Sequence, residues 1–346
     1  AVETLIKSYP NEALLYNISG ICYKTIGKLD EAVKNFEKAL AIKPDYAEVH
    51  YNLGVTLQEL NQLDDAIKCY EQAITIKPDY AIACNNLGVT LQALGQLDAA
   101  VKSYKQALAI KPDFADACNN LGITLKKLGQ LDAAVKSYKQ ALAINPDYAE
   151  AHNNLGNAFN DLGQLDDAIK CYEKAITIKP DYAEAHNNLG NAFNDLGQLD
   201  AAFKSFEKAL AINPDYADAH NNLGNTLTNI DQLDAALVSF ERALVLNPEL
   251  NFLLGQSLHT KMTLCLWDDL PNNLNELTKK INNNEKAIAP FAMLALIDDP
   301  EIQRKTAEIF TNEKYPQSHV LSKIERYPKH KKIRIGYFSA DFHNHA

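Results

Sequence analysis

Apolar and polar positions alternate along this chain with two nested periods. Within residues 47–80, His50, Leu53, Gly54 and Leu57 fall at helical spacing and mark one stripe of a first helix. Ala66, Tyr70 and Ala73 mark the stripe of a second helix, and small Gly54 and Ala66 predict that the two helices approach closely. Pro78 ends the second helix, because the residue before a proline is pushed out of the α region. A turn at Asn61 separates the helices, and five other units carry glycine at that place, as at Gly95.

The whole pattern then returns every 34 residues. Proline recurs at Pro10, Pro44, Pro78, Pro112, Pro146, Pro180, Pro214 and Pro248. Leucine returns at Leu29 and in every unit to Leu233, and alanine at Ala32 and in every unit to Ala236. Four residues after each alanine stands an aromatic: Phe36, Tyr70, Tyr104, Tyr138, Tyr172, Phe206 or Phe240. A helix pair of this size cannot bury its own apolar face, so neighbouring pairs must stack into a solenoid. Asp45 with Glu48, Asp147 with Glu150, and Asp181 with Glu184 have the spacing of capping boxes at the first helix of each unit.

The pattern resembles the tetratricopeptide repeat, in seven units: 13–46, 47–80, 81–114, 115–148, 149–182, 183–216 and 217–250. The resemblance implies an all-α, right-handed superhelix with a concave inner surface. Residues 1–12 occupy the end of a preceding repeat, since Pro10 is in phase, and the array is expected to extend upstream.

Composition narrows the chemistry. A net charge of −10 argues against a nucleic-acid partner, which needs Lys and Arg to displace counterions. The short basic run Lys329-His330-Lys331-Lys332 reads as a solvated start to a strand. No apolar stretch is long enough to cross a bilayer. The six cysteines include no CxxC spacing and read as small core fillers in a reducing compartment, the cytoplasm. His50, His152, His186 and His220 lie one per unit, too far apart to share a metal ion, and read as core residues; no metal site is expected.

Candidate binding residues lie on the first helices. Asn52, Asn86, Asn120, Asn154, Asn188 and Asn222 each precede a Leu-Gly pair, with Ile18 in the register of the first unit. Asparagine costs a helix roughly half a kcal/mol relative to alanine, so six in one register invite a functional explanation. A carboxamide both donates and accepts, as a peptide group requires. Helices pack about 8–10 Å apart and an extended chain advances about 3.3 Å per residue, so one amide per unit meets a ligand main chain about every third residue. Duplication is the alternative explanation, because residues 149–166 and 183–200 are identical.

A second row is acidic: Glu48, Asp116, Glu150, Glu184 and Asp218, broken by Ile82. Capping explains these acids, and contact with a ligand in the groove is the second reading for Asp116, Glu150, Glu184 and Asp218. Either way, a groove of amides and carboxylates is a poor seat for an acidic peptide.

The rhythm stops after Pro248. Leu250–Gln256 reads as one more first helix, and residues 251–329 as a helical connector. Turns are expected at Pro271-Asn272-Asn273, Asn282-Asn283-Asn284 and Asp299-Pro300, and Trp267 is expected to pack the junction. Ile333–Phe338 reads as a β-strand feeding a polar loop, the place where α/β proteins hold ligands. Its apolar edge offers a route to self-association, so a homo-oligomer is possible.

The connector segment Cys265-Leu266-Trp267-Asp268-Asp269 and the terminal run from Ile333 to His345, taken with the repeats, resemble the protein O-linked N-acetylglucosamine transferases, the SPINDLY-like, glycosyltransferase family 41 group. The resemblance implies that residues 330–346 begin a GT-B type α/β catalytic region. It implies transfer of N-acetylglucosamine from UDP-N-acetylglucosamine to Ser or Thr hydroxyls of acceptor proteins, which lie as extended peptides in the groove. It implies that the asparagine row holds the acceptor main chain and that His345 is the active-site histidine, in a role still to be assigned. His343 stands where the family commonly has glycine, and relatives include fucosyltransferases, so the donor sugar stays open. The 346 residues themselves are expected to bind no cofactor and to be catalytically inactive. The alternative is a non-enzymatic repeat scaffold that gathers partner proteins.

Overall fold

A computed structural model describes residues 2–315, and those residues form nineteen α-helices with no strand among them. The expected strand Ile333–Phe338, the basic run before it and His345 lie outside the described residues.

The helices in order are α1 (Val2–Ser8), α2 (Ala13–Thr25), α3 (Leu29–Ile42), α4 (Ala47–Glu59), α5 (Leu63–Ile76), α6 (Ala81–Ala93), α7 (Leu97–Ile110), α8 (Ala115–Lys127), α9 (Leu131–Ile144), α10 (Ala149–Asp161), α11 (Leu165–Ile178), α12 (Ala183–Asp195), α13 (Leu199–Ile212), α14 (Ala217–Asn229), α15 (Leu233–Leu246), α16 (Leu253–Thr263), α17 (Leu270–Asn282), α18 (Pro290–Leu296) and α19 (Pro300–Lys314). They fall into two compact units, Ala1–Trp267 and Asp268–Ala346.

In the first unit each repeat is an antiparallel pair, from α2–α3 to α14–α15, and each second helix packs on the next first helix. The pair is locked by a ring set into a glycine. A Cβ placed on Gly54 would lie 2.8 Å from the Tyr70 ring, and one on Gly190 would lie 2.6 Å from Phe206. These rings are fully buried, so no larger residue fits without moving the core. The turn between helices is equally specific. Asn61 takes a left-handed φ of 58°, Gln62 N–H donates to the Leu57 carbonyl at 2.8 Å, and Asn61 N–H to that of Gln58 at 3.0 Å. This closes the helix with a Schellman motif, which glycine fills at Gly95 and Asp231 fills in the seventh repeat. One buried core runs unbroken from Ala13 to Ala192.

Several sequence expectations need correction. The first helices begin at the alanine after Tyr46, Tyr148 or Tyr182, and no side chain caps them, so Asp45, Asp147 and Asp181 stand one residue too early for a capping box. The four histidines are half-buried, not core: their Nε2 atoms lie 2.9–3.1 Å from the carbonyls of Pro44, Pro146, Pro180 and Pro214, so each ties down its inter-repeat loop. Cys84 and Cys118 fill the core, but Cys22 and Cys265 are exposed. Trp267 is 53% exposed.

In the second unit, Pro271 sits in the first turn of α17, where its missing N–H costs nothing, so Pro271-Asn272-Asn273 is helix and not turn. Asn284 does turn the chain, at φ 63°, and Asp299 caps α19 by accepting from the N–H groups of Glu301 and Ile302.

Candidate functional site

Successive first helices touch each other from α2 through α14, and no pair of successive second helices comes as close. The first helices therefore line the tighter side of the array, and both predicted polar rows lie on them.

All six row asparagines are half-buried, and each amide already donates to the preceding repeat. Asn52 Nδ2 reaches Asn17 Oδ1 at 3.1 Å, Asn120 reaches Asn85 at 3.2 Å, and Asn154 reaches Asn119 at 3.0 Å. Asn188 reaches Asn153 and Asn222 reaches Asn187, both at 3.0 Å, while Asn86 finds the Tyr51 hydroxyl at 3.2 Å. The row is thus a zipper between neighbouring repeats that spends one N–H of each carboxamide.

The acceptors form a second asparagine register, one residue earlier, that sequence reasoning missed: Asn17, Asn85, Asn119, Asn153 and Asn187 are buried. Its signal was the recurring Asn-Asn pair, broken where Tyr51 takes the place of the first asparagine.

The acids are engaged as well. Glu48 and Glu150 pair with Lys77 and Lys179 at 3.6 and 3.7 Å. Asp116 accepts from the Tyr148 hydroxyl, and Glu184 from Asn153 Nδ2, each at 3.0 Å. Their charge is felt locally. Burial, and then Asp116, push the Tyr148 phenol upward. Burial, then Glu184 and Asp218, push Tyr216 up to about 12. Asp218 remains exposed.

Below the row lies a set of contacts to the core tyrosines. Tyr70 hydroxyl donates to Gln58 Oε1 at 3.0 Å, and Thr90 of the next repeat donates to the same oxygen at 2.9 Å. In the fifth repeat the partner changes: Tyr172 donates to Asn157 Oδ1 at 2.8 Å. Asn160 Oδ1 and Asn194 Oδ1, at the register of Gln58, are buried with no hydrogen-bond donor.

Among the described residues no group of three or more His, Cys, Asp or Glu could hold a metal ion, and no helix is long and apolar enough to cross a membrane.

Family models described as "TPR repeat" match residues 23–61, 124–160, 156–194 and 190–230, and models described as "Tetratricopeptide repeat" match 45–113, 91–137 and 217–250. No curated protein matches significantly. Among solved structures, the anaphase-promoting-complex hetero-tetramer Cut9–Hcn1 is 21% identical, with a TM-score of 0.55 over 65% of this chain; the match spans 45% of that chain. MamA is 31% identical over 46% of this chain and 94% of its own, with a TM-score of 0.44. YrrB, titled a TPR protein with an unusual peptide-binding site, is 25% identical over 53% of this chain and 95% of its own, with a TM-score of 0.46.

Proposed function

Because the chain belongs to the tetratricopeptide repeat family, we propose that its first-helix wall binds partner proteins as extended peptides. The observation that carries this reading is the regular placement of half-buried carboxamides, one in each of repeats two to seven, along the tighter side of the array. Each amide has an N–H committed to the zipper, which fixes the orientation of its remaining N–H and carbonyl before any ligand arrives. Contacts of this kind grip a main chain with little selectivity among side chains.

The finer reading is an acceptor-holding arm of a protein O-glycosyltransferase that moves N-acetylglucosamine from UDP-N-acetylglucosamine to Ser or Thr. It is supported by the sequence resemblance of the segment at Cys265–Asp269 and of the run from Ile333 to His345. The acids Asp116, Glu150, Glu184 and Asp218 would then favour acceptors of neutral or basic character. His345 is the residue of that run assigned to the active site.

A direct assay separates the two levels. The native protein, isolated from cells with an antibody against these repeats, is given labelled UDP-N-acetylglucosamine and a bound Ser-containing peptide. Label on the peptide supports the transferase. Peptide bound but unlabelled reduces the reading to a repeat scaffold.

A further inference from the structure

The first-helix wall changes chemistry at its middle. Three residues beyond the asparagine row, repeats two to four carry Val55, Val89 and Ile123, and repeats five to seven carry Asn157, Asn191 and Asn225. All six are half-buried, so the exchange is between an apolar and a polar surface at the same depth. Ile82, 43% exposed, extends the apolar part by interrupting the acidic row.

The core decides which of the new amides are free. Asn157 Oδ1 is occupied by the Tyr172 hydroxyl. Repeats six and seven replace that tyrosine with Phe206 and Phe240, which have no hydroxyl, so the core makes no such claim on Asn191 and Asn225. Each lies one helical turn from a zipper amide, Asn188 or Asn222, and shares its side of the helix.

Charge divides at the same place. Helices α10, α12 and α14 carry Glu150, Asp161, Glu184, Asp195 and Asp218 and not one Lys or Arg, a formal −5. Helices α4, α6 and α8 carry Glu48, Glu59 and Asp116 against Lys126 and Lys127, a formal −1. Glu150 is paired with Lys179 and Asp161 with Lys126 across the divide, so the acidic excess of the later part rests on Glu184, Asp195 and Asp218. A ligand track that is apolar at one end, and amide-rich and acidic at the other, favours an occupant with the complementary order.

We propose that one extended segment of a partner protein spans the wall in a fixed register: an aliphatic block packs on Val55, Val89 and Ile123, and a Lys- or Arg-bearing block lies along repeats five to seven, where Asn191 and Asn225 hold its main chain. This rests on the peptide-binding reading and adds order and composition to it.

The test is selection of a random phage library of peptides about eighteen residues long, enough to span repeats two to seven at about three residues per repeat, on the full chain and on the Asn191→Val/Asn225→Val double variant. Valine is the residue that repeats two and three already carry there, and thermal unfolding of the variant verifies its fold. The expected result is a two-block consensus, one block aliphatic and the other basic in a constant order, whose best peptide binds the variant about tenfold more weakly, as two lost hydrogen bonds imply. That peptide should also lose affinity steeply with added salt. Peptides that bind without a two-block order, or equally well to the variant, overturn this inference and leave peptide binding standing. A library from which nothing is enriched overturns both.

Discussion

Repeats two to four and repeats five to seven share a scaffold and differ in what they do with it. In both, a buried ring presses on a glycine, a left-handed residue closes the turn, and asparagines join neighbouring first helices. At the second repeat the polar groups beneath the wall are turned inward, as Tyr70, Gln58 and Thr90 show by satisfying one another, while the Tyr104 hydroxyl of the third is buried without a hydrogen-bond partner. In the later ones phenylalanine replaces tyrosine at 206 and 240, and the amides Asn191 and Asn225 are released from that duty. Among the amide-bearing repeats, the tyrosine oxygen of Tyr172, lost at Phe206 and Phe240, decides whether the core claims the wall amide, while the ring goes on pressing on its glycine.

The largest effect should come from the feature the halves share. Gly122→Val and Gly190→Val each force a side chain into a buried ring, at a cost of about 3 kcal/mol or more. Similar losses in denaturant unfolding from both sites would confirm a common scaffold; a loss at only one would break the comparison at its root.

Next comes the zipper. Asn154→Ala removes the donor to buried Asn119 Oδ1 and should cost about 1–3 kcal/mol of stability. Asn191→Ala should stay within about 0.5 kcal/mol while weakening peptide binding. Because the zipper row carries stability, the proposed ligand contact is read at Asn191 and not at Asn154.

A smaller effect sharpens the contrast between halves. Phe206→Tyr should supply Asn191 with the partner that Tyr172 gives Asn157, reducing peptide affinity roughly threefold with stability retained. Tyr172→Phe should do the reverse for Asn157. Calorimetric titration with a library-selected peptide reads both.

The smallest effect is a pH dependence. Burial holds His152 below its ordinary value, so the unfolded chain takes up its proton first. Stability from this residue is complete above about pH 6.5 and declines as the pH falls below it. Denaturant melts of wild type and His152→Gln, at pH 7.5 and at successively lower values, should show a shallower fall in the variant. Parallel curves would remove the histidine from the account.

Most of the fold was legible because a 34-residue period overdetermines it: Pro78, Ala66, Tyr70 and Gly54 each point to the same helix pair. The recurrence of asparagine on the first helices was legible for the same reason. Their bonding was not, because a donor 35 residues from its acceptor leaves no local mark, and the buried register at Asn119 and Asn153 was hidden inside the Asn-Asn pair. The capping boxes failed on a single residue of phase, since Tyr46 and not Asp45 precedes α4. Histidine spacing gave no sign of the Pro44 carbonyl six residues back.

The central claim is that the wall holds a partner by its main chain, one contact per repeat. The most direct measurement is the affinity of a library-selected peptide long enough to span the wall, with its backbone amides N-methylated one at a time. The account predicts losses of about tenfold at roughly every third position and little change between them. Equal affinity at every position, or losses that follow side chains instead, would contradict it.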